Sequence, residues 1–169
     1  FNKKKALKIK IKSKKILLKL YNKLNFSNSY FVHRDYHAQN LMLVGKKIGV
    51  IDSQDALIGN PAYDLASLID DVRFKTSYEL KDKIFKLFIC HQKKLNIKKF
   101  KNDFEIISVL RNLKIIGIFT RLAVRDNKRK YLKLIPYAWS LIKLRTNDNK
   151  LFKDLINLLF KTFNKKLKI

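Results

Sequence analysis

Between residues 33 and 52 the chain reads His33-Arg34-Asp35-Tyr36-His37-Ala38-Gln39-Asn40 and then, one short apolar hairpin later, Ile51-Asp52. The pattern is His-x-Asp-x-x-x-x-Asn followed by a second aspartate. These side chains suit phosphoryl transfer. A carboxylate such as Asp35 can orient an attacking hydroxyl and accept its proton. Asn40 and Asp52 are hard oxygen donors of the kind Mg2+ takes when it also holds triphosphate oxygens. The reaction asks little else of a protein beyond positioning and charge neutralisation. Asp and Asn also favour turns, so the weight lies on the spacing, the hairpin and the block that follows, taken together.

A hairpin must position these groups. Leu41-Met42-Leu43-Val44 and Ile48-Gly49-Val50-Ile51 flank Gly45-Lys46-Lys47, a short glycine-containing turn. With a three-residue turn, Val44 faces Ile48, Leu41 faces Ile51 and Asn40 faces Asp52, about 5 Å apart at Cα. A slip of one residue puts Asn40 beside Ile51, and the two oxygen ligands remain near neighbours. The sequence leaves both registers open. Asp35 sits on the loop that enters the same end.

Around this lies a mostly helical chain. Tyr30-Phe31-Val32 is a short β-prone run, and residues 52–59 read as a loop leading to Pro61. The spacing predicts a lysine-rich amphipathic helix over 3–24, with Leu7, Ile11, Leu18 and Tyr21 on the face that covers the core. Leu65, Leu68, Ile69 and Val72 mark a second helix. A third, over 77–95, has Ser77 as N-cap and Leu80, Ile84 and Phe88 inward. A long helix covers 103–124, Pro136 interrupts or kinks the segment 129–145, and a last helix covers 151–163. Four Gly and two Pro in 169 residues leave room for such long helices.

The catalytic-type segment with Ile51-Asp52 resembles the catalytic loop and metal-binding aspartate of the protein-kinase-like fold. Asp52-Ser53-Gln54-Asp55-Ala56, Gly59, Pro61 and Tyr63-Asp64-Leu65-Ala66-Ser67-Leu68 resemble the aminoglycoside phosphotransferase family. Within it they are most similar to the anomeric N-acetylmuramate/N-acetylglucosamine kinases of cell-wall sugar recycling. The downstream block Arg111–Phe119 with Arg121-Leu122-Ala123, and Tyr131-Leu132, is similar to the same branch. The resemblance implies an α+β fold, the C-terminal lobe of a kinase, mostly helical with a small β-hairpin at the catalytic loop. It implies Asp35 as catalytic base, Asn40 and Asp52 as Mg2+ ligands, and His33 and Asp64 as supports of the loop. Gln54 and Asp55 lie where the metal loop turns toward substrate, and are candidate contacts to it. ATP and Mg2+ are the implied co-substrate and metal. Ser53 stands where the family carries a bulky aromatic. Nothing resembles the glycine-rich phosphate loop or the strand lysine of a nucleotide lobe, so residues 1–169 are expected to be a single C-terminal lobe without its N-terminal nucleotide lobe. An aminoglycoside or choline-like kinase is an alternative on the same scaffold. A basic nucleic-acid-binding module, or a kinase-like lobe without activity, is an alternative of another class.

The net charge of +26 raises the question of a nucleic-acid partner. Of the 39 basic residues 32 are Lys and 7 are Arg, scattered along the whole chain. Sites that read nucleic acid favour Arg, so the charge reads as a solvated lysine-rich surface and no specific nucleic acid is expected. No apolar run reaches the roughly 20 residues that span a bilayer, and no membrane partner is expected. Cys90 is the sole cysteine, so no internal disulfide can form, which fits a reducing, cytoplasmic setting. The three His and one Cys give no zinc-ligand spacing. His37 reads as a surface loop residue, and Asp70-Asp71 with Arg73 as a local ion pair.

Overall fold

The computed structural model describes residues 2–147 and 149–163. Helix α1 (Lys3–Tyr21) leads into strand β1 (Tyr30–Val32). The catalytic-type loop and a 3-10 turn at Ala38–Asn40 follow, then the hairpin β2 (Leu41–Val44) and β3 (Lys47–Val50). After a second 3-10 turn at Ser53–Asp55 come strand β4 (Leu57–Gly59) and helix α2 (Ala62–Ile69). Helices α3 (Tyr78–Cys90), α4 (Ile97–Val124), α5 (Ile135–Thr146) and α6 (Lys153–Phe163) complete the order. The α+β, mostly helical architecture expected from the sequence is what the chain adopts.

Side-chain caps set the helix starts. Asn2 accepts from Lys5 N, Ser77 from Leu80 N at 3.2 Å and Asn96 from Lys99 N, each satisfying one orphan amide of the first turn. The segment 129–145 is divided as expected: Arg129–Leu134 is a 3-10 helix, and α5 begins beside Pro136, which lies in its first turn. The proline's missing N–H is one that the first turn leaves unpaired anyway.

Helix α4 is the axis of the core. Phe100, Phe104 and Ile107 pack on Ala62, Leu65 and Ile69 of α2. Ile106 and Val109 face Ile16 and Leu20 of α1, with Ile142 of α5 and Leu155 of α6. Further along, Phe119 meets Val72, Ala138 and Leu141. A helix covered on several sides needs apolar residues all round, which is why its sequence is weakly amphipathic. Phe88 stacks on Phe100 with centroids 5.2 Å apart and closes the α3 side.

Two helical faces differ from expectation. On α1 the series Ile9, Ser13, Ile16 and Leu20 turns inward, followed by Leu24 just past the helix, and Leu7, Ile11, Leu18 and Tyr21 stay exposed. Both series repeat at helical spacing, and it is α4 and α6 that select between them. On α3 Leu80 is exposed and its neighbour Lys81 is buried, held by the Ile69 carbonyl and by Asp70.

The strands form two antiparallel pairs. In the hairpin Leu41 faces Val50 and Val44 faces Lys47. The turn is therefore the two residues Gly45-Lys46, with Gly45 at φ 60° in the left-handed region. The shorter of the two registers is the one formed. Residues 57–59, read as loop from the sequence, form β4, which pairs with β1 so that Tyr30 faces Gly59. A Cβ at Gly59 would lie 3.0 Å from Val32 Cγ2 and 3.2 Å from Leu57 Cδ1, so a larger residue there would have to push these side chains aside.

Candidate active site

The loop 33–40 is fixed from behind by α2. Asp64, in the first turn of that helix, accepts from His33 N at 2.7 Å and from Arg34 N at 3.0 Å. These charge-assisted bonds hold Arg34 at φ 71°, a left-handed conformation that is uncommon outside glycine. The residue carrying the candidate base, Asp35, follows directly. Strained backbone of this kind persists only where the surroundings enforce it, and here two bonds to one carboxylate do so.

The open end of the hairpin brings the remaining groups together. Ile51 N donates to Asn40 O at 3.1 Å, so Asn40 lies beside Ile51 and Asp52 is the next residue. His33 Nε2 meets Ile51 O at 2.9 Å and ties the loop to the strand that delivers Asp52. Asp52 itself has φ 65° and is exposed. Asn40 is buried, and its Nδ2 donates to the Asp35 carbonyl at 3.0 Å. Only the amide nitrogen can donate to a carbonyl, so the assignment is chemical and Oδ1 is turned away from that bond.

The structure thus brings Asp35, Asn40 and Asp52 to one edge and places His33 and Asp64 behind them. Gln54 and Asp55 are exposed in the 3-10 turn after Asp52. Arg34 Nη1 donates to the Asp55 carbonyl at 3.2 Å and joins that turn to the loop. Ser53 is exposed in the same turn. His37 is not the surface residue expected from the sequence: it is 4% exposed. The 3-10 turn that starts after it folds the ring under the loop, with Nε2 3.5 Å from Asp35 Oδ1.

Asn40 and Asp52 fit Mg2+ in donor type. Mg2+ keeps several waters and takes only one or two protein oxygens when it also binds substrate phosphates. Among the described residues no group of three or more His, Cys, Asp or Glu forms a protein-only metal cage.

Two polar clusters that the sequence did not disclose hold this scaffold. Asp103 of α4 is buried and accepts from Asn25 N, Asn25 Nδ2, Phe26 N and Asn60 Nδ2 at 2.8–2.9 Å. Burial pushes its carboxyl up, but the Phe26 amide and the Asn25 and Asn60 side chains outweigh this and hold it below the ordinary value. Asn60 Oδ1 in turn accepts from Ala62 N at 3.0 Å, which starts α2 and so sets Asp64. Asp103 sits among Lys101, Asn102 and Glu105, a polar run that gives no local sign of its burial. Asp70 at the far end of α2 makes no local pair with Arg73. It is fully buried against Arg145, Lys81 and Ser108. Asp71 keeps the local contact, accepting from Arg73 N at 3.0 Å.

A mostly helical α+β scaffold with a hairpin-borne Asp-Asn-Asp edge is the class of site that kinase-like phosphotransferases use. Residues 15–87 match the family model described as a phosphotransferase enzyme family. That match takes in the motif residues from His33 to Leu68 and ends before the downstream block Arg111–Phe119. The chain is 34% identical over 114 residues to an N-acetylmuramate/N-acetylglucosamine kinase of Caulobacter vibrioides, covering 64% of this chain and 31% of that protein. It is 39% identical over 115 residues to the kinase of the same name from Neisseria meningitidis serogroup B, covering 63% and 34%. With that of Pseudomonas aeruginosa the figures are 36% over 115 residues, 63% and 33%. The chain spans about a third of the length of the curated relatives it matches. Among the described residues no helix is long and apolar enough to cross a membrane.

Proposed function

We propose that this chain is the catalytic-loop lobe of a small-molecule kinase that moves the γ-phosphoryl group of ATP to a hydroxyl of an amino sugar. The favoured acceptor is N-acetylmuramate or N-acetylglucosamine at the anomeric hydroxyl, in the reuse of cell-wall sugars in the cytoplasm. Asp35 accepts the acceptor's hydroxyl proton as that oxygen attacks phosphorus, and the bond from phosphorus to the bridging oxygen of ADP breaks. Asn40 Oδ1 and the Asp52 carboxylate would hold Mg2+, which when bound neutralises charge on the phosphate oxygens. His33 and Asp64 keep the loop in register with the strand that carries Asp52. Gln54 and Asp55, on the exposed turn beside Asp52, contact the acceptor. The other part of the nucleotide site belongs to a second lobe against which this one works.

The observation that carries this reading is the Asn40 amide. Its nitrogen is committed to the Asp35 carbonyl, which couples the position of the base to that of the candidate metal ligand. The test is ADP release by the gene product with Mg2+-ATP and a panel of N-acetylmuramate, N-acetylglucosamine, an aminoglycoside and choline. Turnover confined to the amino sugars supports the reading. Turnover on the aminoglycoside or choline alone moves the substrate assignment, and silence across the panel from folded protein removes the activity.

A further inference from the structure

Behind the catalytic loop lies a cationic cavity that the phosphoryl-transfer residues leave unused. It measures about 330 Å3 and is bounded by the end of α1, by β4 and by α4. Arg34, Arg111 and Lys114 line it, and no Asp or Glu does. The other walls are mainly apolar and aromatic, among them Val32 and Tyr63. Such a lining is selective for sign: it offers three cations, with no carboxylate of its own to compete for them.

Arg111 is the unusual member. It is only 7% exposed, and its Nη1 has no hydrogen-bond partner. Among the described residues no carboxylate reaches it as an ion pair. Tyr63, Asp71 and Asp35 act on it only through space, and burial drives its pKa below the ordinary value. A guanidinium does not escape burial by losing its proton at neutral pH. Asp71 and Asp35 offset part of the cost of burying this charge through space, and the unpaired Nη1 leaves the guanidinium open to an anion in direct contact. The planar fork of Arg matches the two oxygens of a carboxylate or phosphate. The cavity also adjoins the reaction edge. Val32 and Arg34 on its wall flank His33, and Asp35 is close enough to contribute to the field at Arg111.

We propose that this cavity receives a negatively charged substituent of the acceptor, with Arg111 pairing with a carboxylate and so favouring an acidic sugar over its neutral counterpart. The inference rests on the sugar-kinase reading above and adds a specificity-determining residue to it. N-acetylmuramate differs from N-acetylglucosamine by a lactyl ether bearing one carboxylate, so the two sugars are a matched pair of probes.

The experiment is calorimetric titration of the gene product with each sugar and, separately, with inorganic phosphate, with no turnover required. Arg111→Met should lower the preference for N-acetylmuramate over N-acetylglucosamine at least tenfold, leave N-acetylglucosamine affinity within about twofold, and be partly rescued by Arg111→Lys. Lys114→Met, at an exposed wall position, should lower the same preference by a smaller factor and serves as the readout if Arg111→Met does not fold. An unchanged preference in these variants, or equal loss of both sugars, overturns the inference. Phosphate binding that depends on Arg111, with the two sugars bound alike, assigns the cavity to a free anion and likewise overturns the acceptor assignment. Arg111-dependent binding of N-acetylmuramate without any ADP release sustains the inference and removes the kinase reading instead.

Discussion

Helix α2 carries a carboxylate near each end, and the two are used differently. Asp64 at the start accepts two backbone N–H groups of the catalytic-type loop. Asp70, just past the end, accepts from side chains: Arg145 through Nε and Nη2 at 2.8 and 2.9 Å, Ser108 Oγ at 2.6 Å and Lys81 Nζ at 3.2 Å. Bonds to backbone fix the path of a loop and leave its side chains free for chemistry. Bonds to distant cations fix helices to one another, here α2 to α3, α4 and α5. Burial alone would raise the Asp70 carboxyl, but Arg145, then Lys81 and Ser108, outweigh it and hold it below its ordinary value. One end of a short helix positions the site, and the other secures the scaffold.

Removing Asp70 should have the largest effect on the fold. Asp70→Ala leaves Lys81 buried and Arg145 half-buried without their anion, and breaking such a cluster costs about 3–5 kcal/mol. Urea unfolding should show that loss, with turnover per folded molecule little changed. Asp64→Asn comes next. It replaces a charged acceptor with a neutral one that retains a single oxygen, a loss of about 1–2 kcal/mol, and turnover should fall by about tenfold or more as Arg34 and Asp35 relax. Equal effects of the two variants on both readouts would erase the distinction between the ends of α2.

Acid should act on the scaffold end. Asp70 and Asp103 both have folded carboxyls held below the ordinary value of 3.8. Their contribution to stability is therefore complete above that value and is lost as pH falls through the lower folded values. Denaturant midpoints followed from pH 5 down to pH 2 should show the loss beginning near 3.8, and Asp70→Asn should flatten it. The smallest change is expected from Gln54→Ala in the exposed turn. Stability should move by less than about 0.5 kcal/mol, while the acceptor KM rises and kcat holds.

The placement of the candidate site was more legible than the scaffold. Asp35, Asn40 and Asp52 lie within one local segment whose spacing can be read directly, and the structure brings them to one edge. The hairpin was legible down to two registers. The choice between them depended on whether Lys47 belongs to the turn or to the strand, which the run Gly45-Lys46-Lys47 does not declare. Strand β4 is three residues long and ends in Gly, too short for a periodic signal, and it exists because β1 needs a partner. The inward face of α1 was ambiguous because two apolar series run along it. Asp70 pairs with Arg145, 75 residues away, and no local pattern encodes such a partner. His37 sits in a polar run that reads as solvent-exposed, and only the 3-10 turn behind it buries the ring.

The most direct test of the account is Asp35→Asn in the gene product, with ADP release and a urea melt measured on the same preparation. The side chain of Asp35 is about half exposed, 49%, so the melt should shift by less than about 0.5 kcal/mol. Turnover on the preferred amino sugar should drop by at least ~10²-fold, the usual scale for loss of a positioned base. Turnover within twofold of the unsubstituted protein, with the melt unchanged, would contradict the assignment of Asp35 and with it the reading of this edge as a phosphoryl-transfer site.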